Sequence, residues 1–292
     1  MSTREWKETT KLIEASVAIL AEQSPMTIRQ LFYRLVTLVF LKNNRAAYER
    51  VSSVMTKARG DGRVAWNLIV DRSRPDYSPY VFEDAAKYCD SVLKMYRKNY
   101  WHIQPNHVEV WVEKDAIMGS IENLTDELGI TVRPTRGFSS TTKVHEIATL
   151  FSTINKPITV FYLGDHDPSG CDMDRDVEAR VLQHGSGPFT FRRLGILKSD
   201  IAKFHLPPLR VKESDSRKAG FREKYGEDCV ELDALPPLEL RKRIKDAVEA
   251  LMDRELWDRA VAVEKVEQDS IKTFAATLKG LQTATSGDLA GA

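Results

Sequence analysis

Three acidic residues stand where the sequence predicts the ends of two β-strands. Glu113 directly follows the apolar segment 108–112, and Asp165 and Asp167 follow the apolar segment 157–163. In open α/β sheets, ligands bind beyond the carboxyl ends of the strands. Carboxylates that converge there repel one another unless a divalent cation compensates their charge. Because all the donors are oxygens, we expect Mg²⁺, or Mn²⁺, rather than zinc.

Each acidic cluster also has a simpler interpretation. An ion pair with Lys114 or another basic neighbour would explain Glu113, and a capped turn before a helix starting near Asp172 would explain the two aspartates. The aspartate loop also has the residue spacing of a calcium EF-hand. We exclude the EF-hand because the loop follows a buried strand rather than a helix, and because Pro168 lacks a backbone donor.

A tyrosine near the N-terminus is the second group that can do chemistry. Residues 28–41 predict an amphipathic helix, on which Tyr33 falls opposite the apolar stripe, on the side of Arg29. Four residues separate the two side chains, so they can meet. The guanidinium would favour the phenolate that attacks a phosphate. The alternative is a surface or interface tyrosine that stacks on Arg29 or contacts a DNA sugar, and position leaves both interpretations open.

The N-terminal region has the element order of a winged helix. The predicted elements are helices at 5–23, 28–41 and 46–59, a turn at 60–62 and a strand at 64–69. In such folds the third helix enters the major groove of DNA. A three-helix packing unit without a DNA role is the alternative.

Local charge favours the DNA-binding interpretation. The net charge of the chain is only +1, but residues 29–74 carry ten basic and three acidic residues. Such an excess gains affinity for DNA by releasing counterions. The Lys- and Arg-rich stretch 216–224 has two interpretations. Either it contacts a DNA backbone, or it is simply a mobile loop. The candidate DNA-binding residues are Arg34, Arg45, Arg50, Lys57, Arg59, Arg63, Lys114 and Arg136.

The second half of the chain alternates predicted strands and helices. This order predicts a Rossmann-like α/β fold with a mainly parallel sheet. The predicted domains are a winged-helix domain at 1–79, a linker helix at 80–107, an α/β domain with C-terminal helices at 108–282, and a disordered tail at 283–292.

Composition excludes several classes of protein. No apolar run approaches the about 20 residues of a membrane span, and the first residues do not form a secretory signal. The three cysteines are far apart, which argues against a disulfide framework and a structural zinc site. We therefore expect a cytoplasmic protein without a membrane partner.

The acidic segments resemble a known family. Residues 112–116 (Val-Glu-Lys-Asp-Ala) and 164–170 (Gly-Asp-His-Asp-Pro-Ser-Gly) resemble the two acidic motifs of the Toprim domain. They are most similar to those of the topoisomerase VI A subunit and its meiotic double-strand-break relative. Residues 27–33 (Thr-Ile-Arg-Gln-Leu-Phe-Tyr) resemble the winged-helix motif whose final tyrosine attacks DNA. Residues 231–235 (Glu-Leu-Asp-Ala-Leu) resemble a late Toprim segment, to which we assign no role.

The resemblance, which spans residues 27–251, implies a function. It implies a homodimer that cleaves double-stranded DNA near the nucleoid, with Tyr33 and Arg29 as catalytic residues and a covalent 5′-phosphotyrosyl link. Glu113, Asp165 and Asp167 would hold the Mg²⁺. The family also uses a separate ATP-driven subunit, and this chain has no Walker-type loop.

The chain departs from the family at residues 135–140, where Thr-Arg-Gly-Phe-Ser-Ser replaces a Gly-Lys-Gly-like turn. Two alternatives to the transesterase remain. One is a hydrolytic Toprim nuclease of plasmid or phage defence that uses metal-activated water. The other is a DNA-binding protein without catalysis.

Overall fold

The chain forms two compact units. The computed structural model describes residues 3–70, 79–135, 141–211, 213 and 215–289. The larger unit is built from the described parts of 1–74 and 106–251, and the smaller unit from those of 75–105 and 252–292.

The larger unit holds most of the regular elements. Its helices are α1 (Thr3–Gln23), α2 (Ile28–Thr37), α3 (Arg45–Gly60), α5 (Asp115–Leu128), α6 (Thr141–Ser152), α7 (Pro168–Gln183), α8 (Lys198–Lys203), α9 (Lys218–Tyr225) and α10 (Pro237–Glu249). Its strands are β1 (His107–Val112), β2 (Thr131–Pro134), β3 (Ile158–Leu163), β4 (Thr190–Gly195), β5 (Leu209–Arg210) and β6 (Asp228–Cys229). The smaller unit contributes α4 (Ala85–Met95) and α11 (Arg254–Leu289).

Four of the strands form a parallel sheet in the order β2-β1-β3-β4, which confirms the predicted α/β class. All six residues of β3 are buried, as expected for a central strand covered on both faces. On one face α6 and α7 pack on a core that includes Trp111, Phe151 and Tyr162. Helices α5 and α10 contact the sheet as well as each other. This sheet brings the ends of β1 and β3 side by side.

Helix α2 is shorter than predicted. It begins with a capping box, in which the Thr27 side chain accepts the backbone N–H of Gln30 and the Gln30 side chain accepts that of Thr27. It ends at Thr37 rather than at residue 41. Beyond the helix, Val39 adopts a left-handed φ of 58°, which a right-handed helix does not include.

The predicted strand at 64–69 is wrong. Trp66–Leu68 is a 3₁₀ turn, and only Ile69 forms a bridge, to Met26. The reason is Arg59, which lies 4.3 Å from the centre of the Trp66 ring and donates hydrogen bonds to the carbonyl oxygens of Trp66 and Ile69. These bonds satisfy the carbonyls that a strand partner would otherwise bind.

The smaller unit is a helix pair. In it α4 packs on α11, with Lys279 Nζ 2.7 Å from Asp90 Oδ1. The sequence predicted that the C-terminal helices belong to the α/β domain; α10 lies in the larger unit and α11 in the smaller one. Helix α11 continues to Leu289, residues 290–292 lie outside the described residues, and the disordered tail stays a prediction.

Among the described helices, none has both the length and the apolar character that crossing a membrane requires.

Candidate active site

Glu113 and Asp165 lie side by side at the carboxyl edge of the sheet. The pairing of β1 with β3 sets Val112 opposite Leu163, so the next residues of both strands emerge together. The Asp165 backbone N–H donates to Glu113 Oε2 at 2.7 Å. Two carboxylates from separate strands therefore occupy one edge, as the sequence predicted for these two.

Asp165 is the most buried of the three predicted ligands, at 7% exposed. Its Oδ1 accepts the backbone N–H of Leu232 at 2.7 Å, and its Oδ2 lies 3.0 Å from Lys114 Nζ. Burial raises the pKa of Asp165 above its ordinary value, and the charge of Lys114 opposes that shift only in part.

Asp167 caps helix α7, which starts directly after it. Its Oδ1 accepts the backbone N–H of Gly170 at 2.6 Å, so one carboxylate oxygen satisfies an N–H of the first turn. The simpler interpretation of this residue as a helix cap therefore describes a contact that exists. The helix begins at Pro168, four residues earlier than predicted.

Gly170 allows the close approach of the two acidic segments. A Cβ at this position would lie 2.3 Å from the Asp165 carbonyl oxygen and 3.2 Å from Glu113 Oε2. No side chain fits at the shorter distance, because backbone rather than a flexible side-chain end occupies the space.

Lys114 serves as an internal cation. Its Nζ contacts three carboxylates, at 3.0 Å for Asp165, 3.3 Å for Glu231 and 3.2 Å for Asp233. Burial alone would lower the pKa of Lys114, but these charges raise it above its ordinary value. These ion pairs of Lys114 are thus with carboxylates other than Glu113, and a contact of Lys114 with DNA stays a prediction.

Glu231 and Asp233 were left without a role by the sequence, yet they complete this network. Glu231 binds Lys114 on one side and Arg29 on the other, with Arg29 Nε 2.6 Å from Glu231 Oε2. Burial raises the pKa of Glu231, but Lys114 and Arg29 outweigh it and the net shift is downward. The sequence signal for this network was the presence of two acidic residues, Glu231 and Asp233, within the segment 231–235.

Tyr33 is buried, at 4% exposed, rather than on the surface. The side of α2 that carries Tyr33 and Arg29 contacts the turn Leu232–Ala234, which the periodicity of α2 alone does not reveal. Arg29 Cζ lies 5.9 Å from the centre of the tyrosine ring, as their spacing predicted. However, burial and the charge of Glu231 raise the pKa of Tyr33 to about 12, and Arg29 only partly offsets this. Arg29 thus favours the phenolate, as its spacing from Tyr33 predicted, but burial and the charge of Glu231 outweigh it.

The donor set at this edge fits a hard divalent cation in its chemistry. Burial and the charges of Asp165 and Asp167 raise the pKa of Glu113, which means that negative charge there is undercompensated. Among the described residues, no three His, Cys, Asp or Glu side chains are already gathered as a metal-binding cluster. Their convergence on one cation stays a prediction.

A cleft of about 290 Å³ opens beside these carboxylates, and we call it the acidic cleft. Four acidic side chains and one basic side chain line it. They are Asp165, Asp167, Asp215, Glu231 and Arg210.

The predicted DNA-binding residues divide into two groups. Arg45 (91% exposed side chain), Lys57 and Arg63 are on the surface, and Arg50 is there as well, paired with Glu8. Two others have structural contacts. Arg34 is buried and donates to the Ala234 carbonyl oxygen at 2.7 Å, and Arg59 holds the turn at 66–68. Arg136 lies outside the described residues.

Comparison with known proteins assigns no family. The chain matches no model of a known protein family, and no curated protein matches its sequence. A function therefore has to be inferred from the motifs and the geometry of the chain itself.

Proposed function

We propose that this chain cleaves phosphodiester bonds in double-stranded DNA with a divalent cation, Mg²⁺ or Mn²⁺, held by Glu113, Asp165 and Asp167. The observation that carries the proposal is the 2.7 Å hydrogen bond from the Asp165 backbone to Glu113, at the edge of a parallel sheet and beside a cleft. When bound, the cation polarises a phosphate oxygen as a Lewis acid. The fold assignment, winged helix followed by Toprim domain, belongs to the same proposal.

Lys114 has a positioning role in this proposal. It neutralises part of the charge of Asp165, Glu231 and Asp233, which would otherwise repel one another at the edge of the cleft. It thereby holds Asp165 at the rim of the acidic cleft and leaves Glu113 with its charge undercompensated. A cation that neutralises Glu113 would then bind next to a carboxylate that is already oriented.

Transesterification by Tyr33 is the first candidate mechanism. The Tyr33 oxygen would form a bond to phosphorus, the 3′ oxygen of the neighbouring nucleotide would leave and take up a proton, and a 5′-phosphotyrosyl link would remain. Arg29 supports this candidate because its guanidinium lies 5.9 Å from the centre of the Tyr33 ring, where its charge favours the attacking phenolate. In the topoisomerase VI family the tyrosine of one chain meets the metal of the other. We therefore propose a homodimer, with a separate ATP-driven subunit as a further partner.

Hydrolysis by water is the second candidate, and a specific observation favours it. Tyr33 is buried and the raised pKa keeps it a neutral phenol, whereas the acidic cleft has room for water and a phosphate. Attack by Tyr33 requires its buried side chain to become accessible to a phosphate, and attack by water does not. In this arrangement of the chain, water is the better nucleophile.

The test is incubation of supercoiled DNA with the protein and Mg²⁺ or Mn²⁺, followed by denaturing detergent. We expect nicked or linear DNA, and we expect Glu113→Gln and Asp165→Asn to lower the rate about 100-fold or more, since a cation contributes several kcal/mol. Asp269→Asn on α11, which removes an exposed carboxylate, is the matched control.

A probe for protein attached to 5′ ends separates the two mechanisms. Protein-free ends, with full activity in Tyr33→Phe, would establish water as the nucleophile. Covalent protein that disappears in Tyr33→Phe would establish the tyrosine. If DNA is bound but remains intact with every divalent cation tested, cleavage is disproved and a DNA-binding protein without catalysis remains.

A further inference from the structure

A second cleft, of about 410 Å³, adjoins the acidic cleft. Pro168 lines both clefts, so they meet at the first residue of α7. The second cleft lies between α7 and α9 and has the opposite charge, with three basic side chains and one acidic side chain. The charged residues are Arg175, Arg217, Lys224 and Asp172. We call it the basic cleft.

The two arginines of the basic cleft are available for a ligand. Arg175 has an 83% exposed side chain and pairs with Asp172 at 2.8 Å, while Arg217 is 46% exposed and pairs with Asp215 at 3.2 Å. Exposed ion pairs of this kind contribute little to stability, because water screens them. A phosphate offers the same guanidinium two oxygens in bidentate geometry, so it can replace either carboxylate.

An aromatic wall completes the basic cleft. Lys224 Nζ lies 5.0 Å from the centre of the Tyr225 ring, and this ring packs against Phe221 at 5.2 Å. The buried ring of His166 contacts both, at 5.2 Å from Tyr225 and 5.3 Å from Phe221. An aromatic side chain flanked by cations is the combination that binds a nucleic-acid strand through its phosphates and bases.

The acidic loop itself supports this wall. His166 stands between Asp165 and Asp167 in the sequence, and its backbone forms two hydrogen bonds with Val230, at 2.8 and 2.9 Å. The residue that separates two predicted cation ligands thus packs under the Tyr225 ring. A DNA strand that crosses Pro168 therefore passes directly from the basic cleft to the carboxylates of Asp165 and Asp167.

We propose that the basic cleft binds the DNA strand next to the bond that is cleaved. Arg175 and Arg217 hold a backbone phosphate, and Tyr225 stacks against the adjoining base, which separates from its pairing partner when the strand enters the cleft. The position of the basic cleft next to a cleaved bond rests on the proposed function. The binding of a DNA strand by this cleft does not depend on cleavage. It assigns a role to the basic stretch 216–224, for which the sequence left both a DNA contact and a plain loop open.

The test is the affinity for a fluorescent single-stranded oligonucleotide in EDTA, measured by anisotropy over a range of salt concentrations. We expect Arg175→Ala/Arg217→Ala to weaken binding about tenfold or more, because each arginine donates charge-assisted hydrogen bonds to phosphate. The slope of log affinity against log salt should fall by about 0.7 for each phosphate that the variant leaves without its arginine. Tyr225→Ala should weaken binding about fivefold or more, while Tyr225→Phe, which keeps the ring, should not.

Lys272→Ala is the matched control, since Lys272 pairs with Asp269 at 2.8 Å across three residues, as Arg175 does with Asp172. Thermal unfolding checks that each variant is folded. Unchanged affinity and salt slope in the folded double arginine variant would overturn the inference. So would competition by inorganic phosphate or a free nucleotide as effective as that by the oligonucleotide.

The two proposals fail separately. Glu113→Gln should abolish cleavage and leave oligonucleotide binding in EDTA intact. If no DNA is ever cleaved but the arginine variant still loses affinity, the proposed function is wrong and the basic cleft stands. If cleavage occurs and the arginine variant binds normally, the proposed function stands and the inference about the basic cleft is wrong.

Discussion

Arg29 and Glu231 form a two-pronged ion pair that joins α2 to the segment following β6. Glu231 also contacts Lys114, which contacts Asp165, so a continuous line of charges runs from the tyrosine helix to the acidic edge of the sheet. Tyr33, which lies on the same helix as Arg29, is buried. Any attack by Tyr33 therefore requires a rearrangement that makes its hydroxyl accessible.

Burial and, after it, the charge of Glu231 raise the pKa of Tyr33. The negative charge of Glu231 disfavours the phenolate, so Glu231→Gln should lower the pKa of Tyr33 from about 12 toward the ordinary value of 10. Ultraviolet titration of the folded chain measures the shift, with Tyr33→Phe identifying the transition that belongs to this residue. If the titration of Tyr33 is the same with Glu or Gln at 231, the electrostatic account of its pKa is incorrect.

Removing Lys114 should leave the repulsion among its three carboxylate partners without compensation. Lys114→Met leaves three carboxylates facing one another, and loss of one partner from a buried pair costs about 3–5 kcal/mol. Because a bound cation stabilises the folded state, Mg²⁺ should raise the unfolding temperature more in Lys114→Met than in the wild type.

Calorimetry with and without Mg²⁺ tests this prediction. Lys143→Ala, which removes an exposed pair with Glu146, is the control and should change little. A Lys114→Met variant as stable as the wild type would show that the network contributes nothing to the fold.

The packing of Gly170 predicts a position-specific defect. Gly170→Ala places a Cβ 2.3 Å from the Asp165 carbonyl oxygen, so the loop must shift. We expect a loss of stability of about 2 kcal/mol and a large loss of DNA cleavage, since the shift moves Asp165 away from Glu113. Gly187→Ala, where nothing lies within 4 Å of the added Cβ, should stay within about 0.5 kcal/mol of the wild type. Equal denaturation midpoints for the two variants would contradict the packing argument.

Protonation of Glu109, which lies away from the candidate site, should destabilise the folded chain in acid. Burial raises its pKa, but hydrogen bonds from His107, Arg133 and Trp111 outweigh it and lower the pKa to about 2. A lowered carboxyl pKa adds stability that is present above the ordinary value of 4.5 and is lost as the pH falls toward 2. The contribution is about 3 kcal/mol.

Urea denaturation at successive pH values should therefore show falling stability between pH 4.5 and 2. Glu109→Gln should be less stable at neutral pH and lose most of this dependence. If Glu109→Gln retains the full dependence of stability on pH, the acid transition belongs to other carboxyl groups.

The elements nearest the site were predictable because their signals are local. The apolar runs of β1 and β3 predicted two central strands, and the acidic residues after each run predicted a shared edge, where Glu113 and Asp165 meet. Thr27 predicted the start of α2 because a helix cap depends on residues only three positions away. The segment 64–69 failed because Arg59 holds it as a turn, and its alternating pattern carries no trace of that contact.

What the residue order alone determined is thus the α/β class, the strand edge and the types of chemical group presented there. Only the tertiary structure decided that Lys114 lies among three carboxylates and that residues 232–234 cover the helix of Tyr33. The physical reason is distance along the chain: Glu231, which pairs with Arg29, and Asp233, which pairs with Lys114, each lie more than a hundred residues from their partner. Periodicity and capping act within a few residues, whereas burial and charge pairing depend on which remote segments pack together.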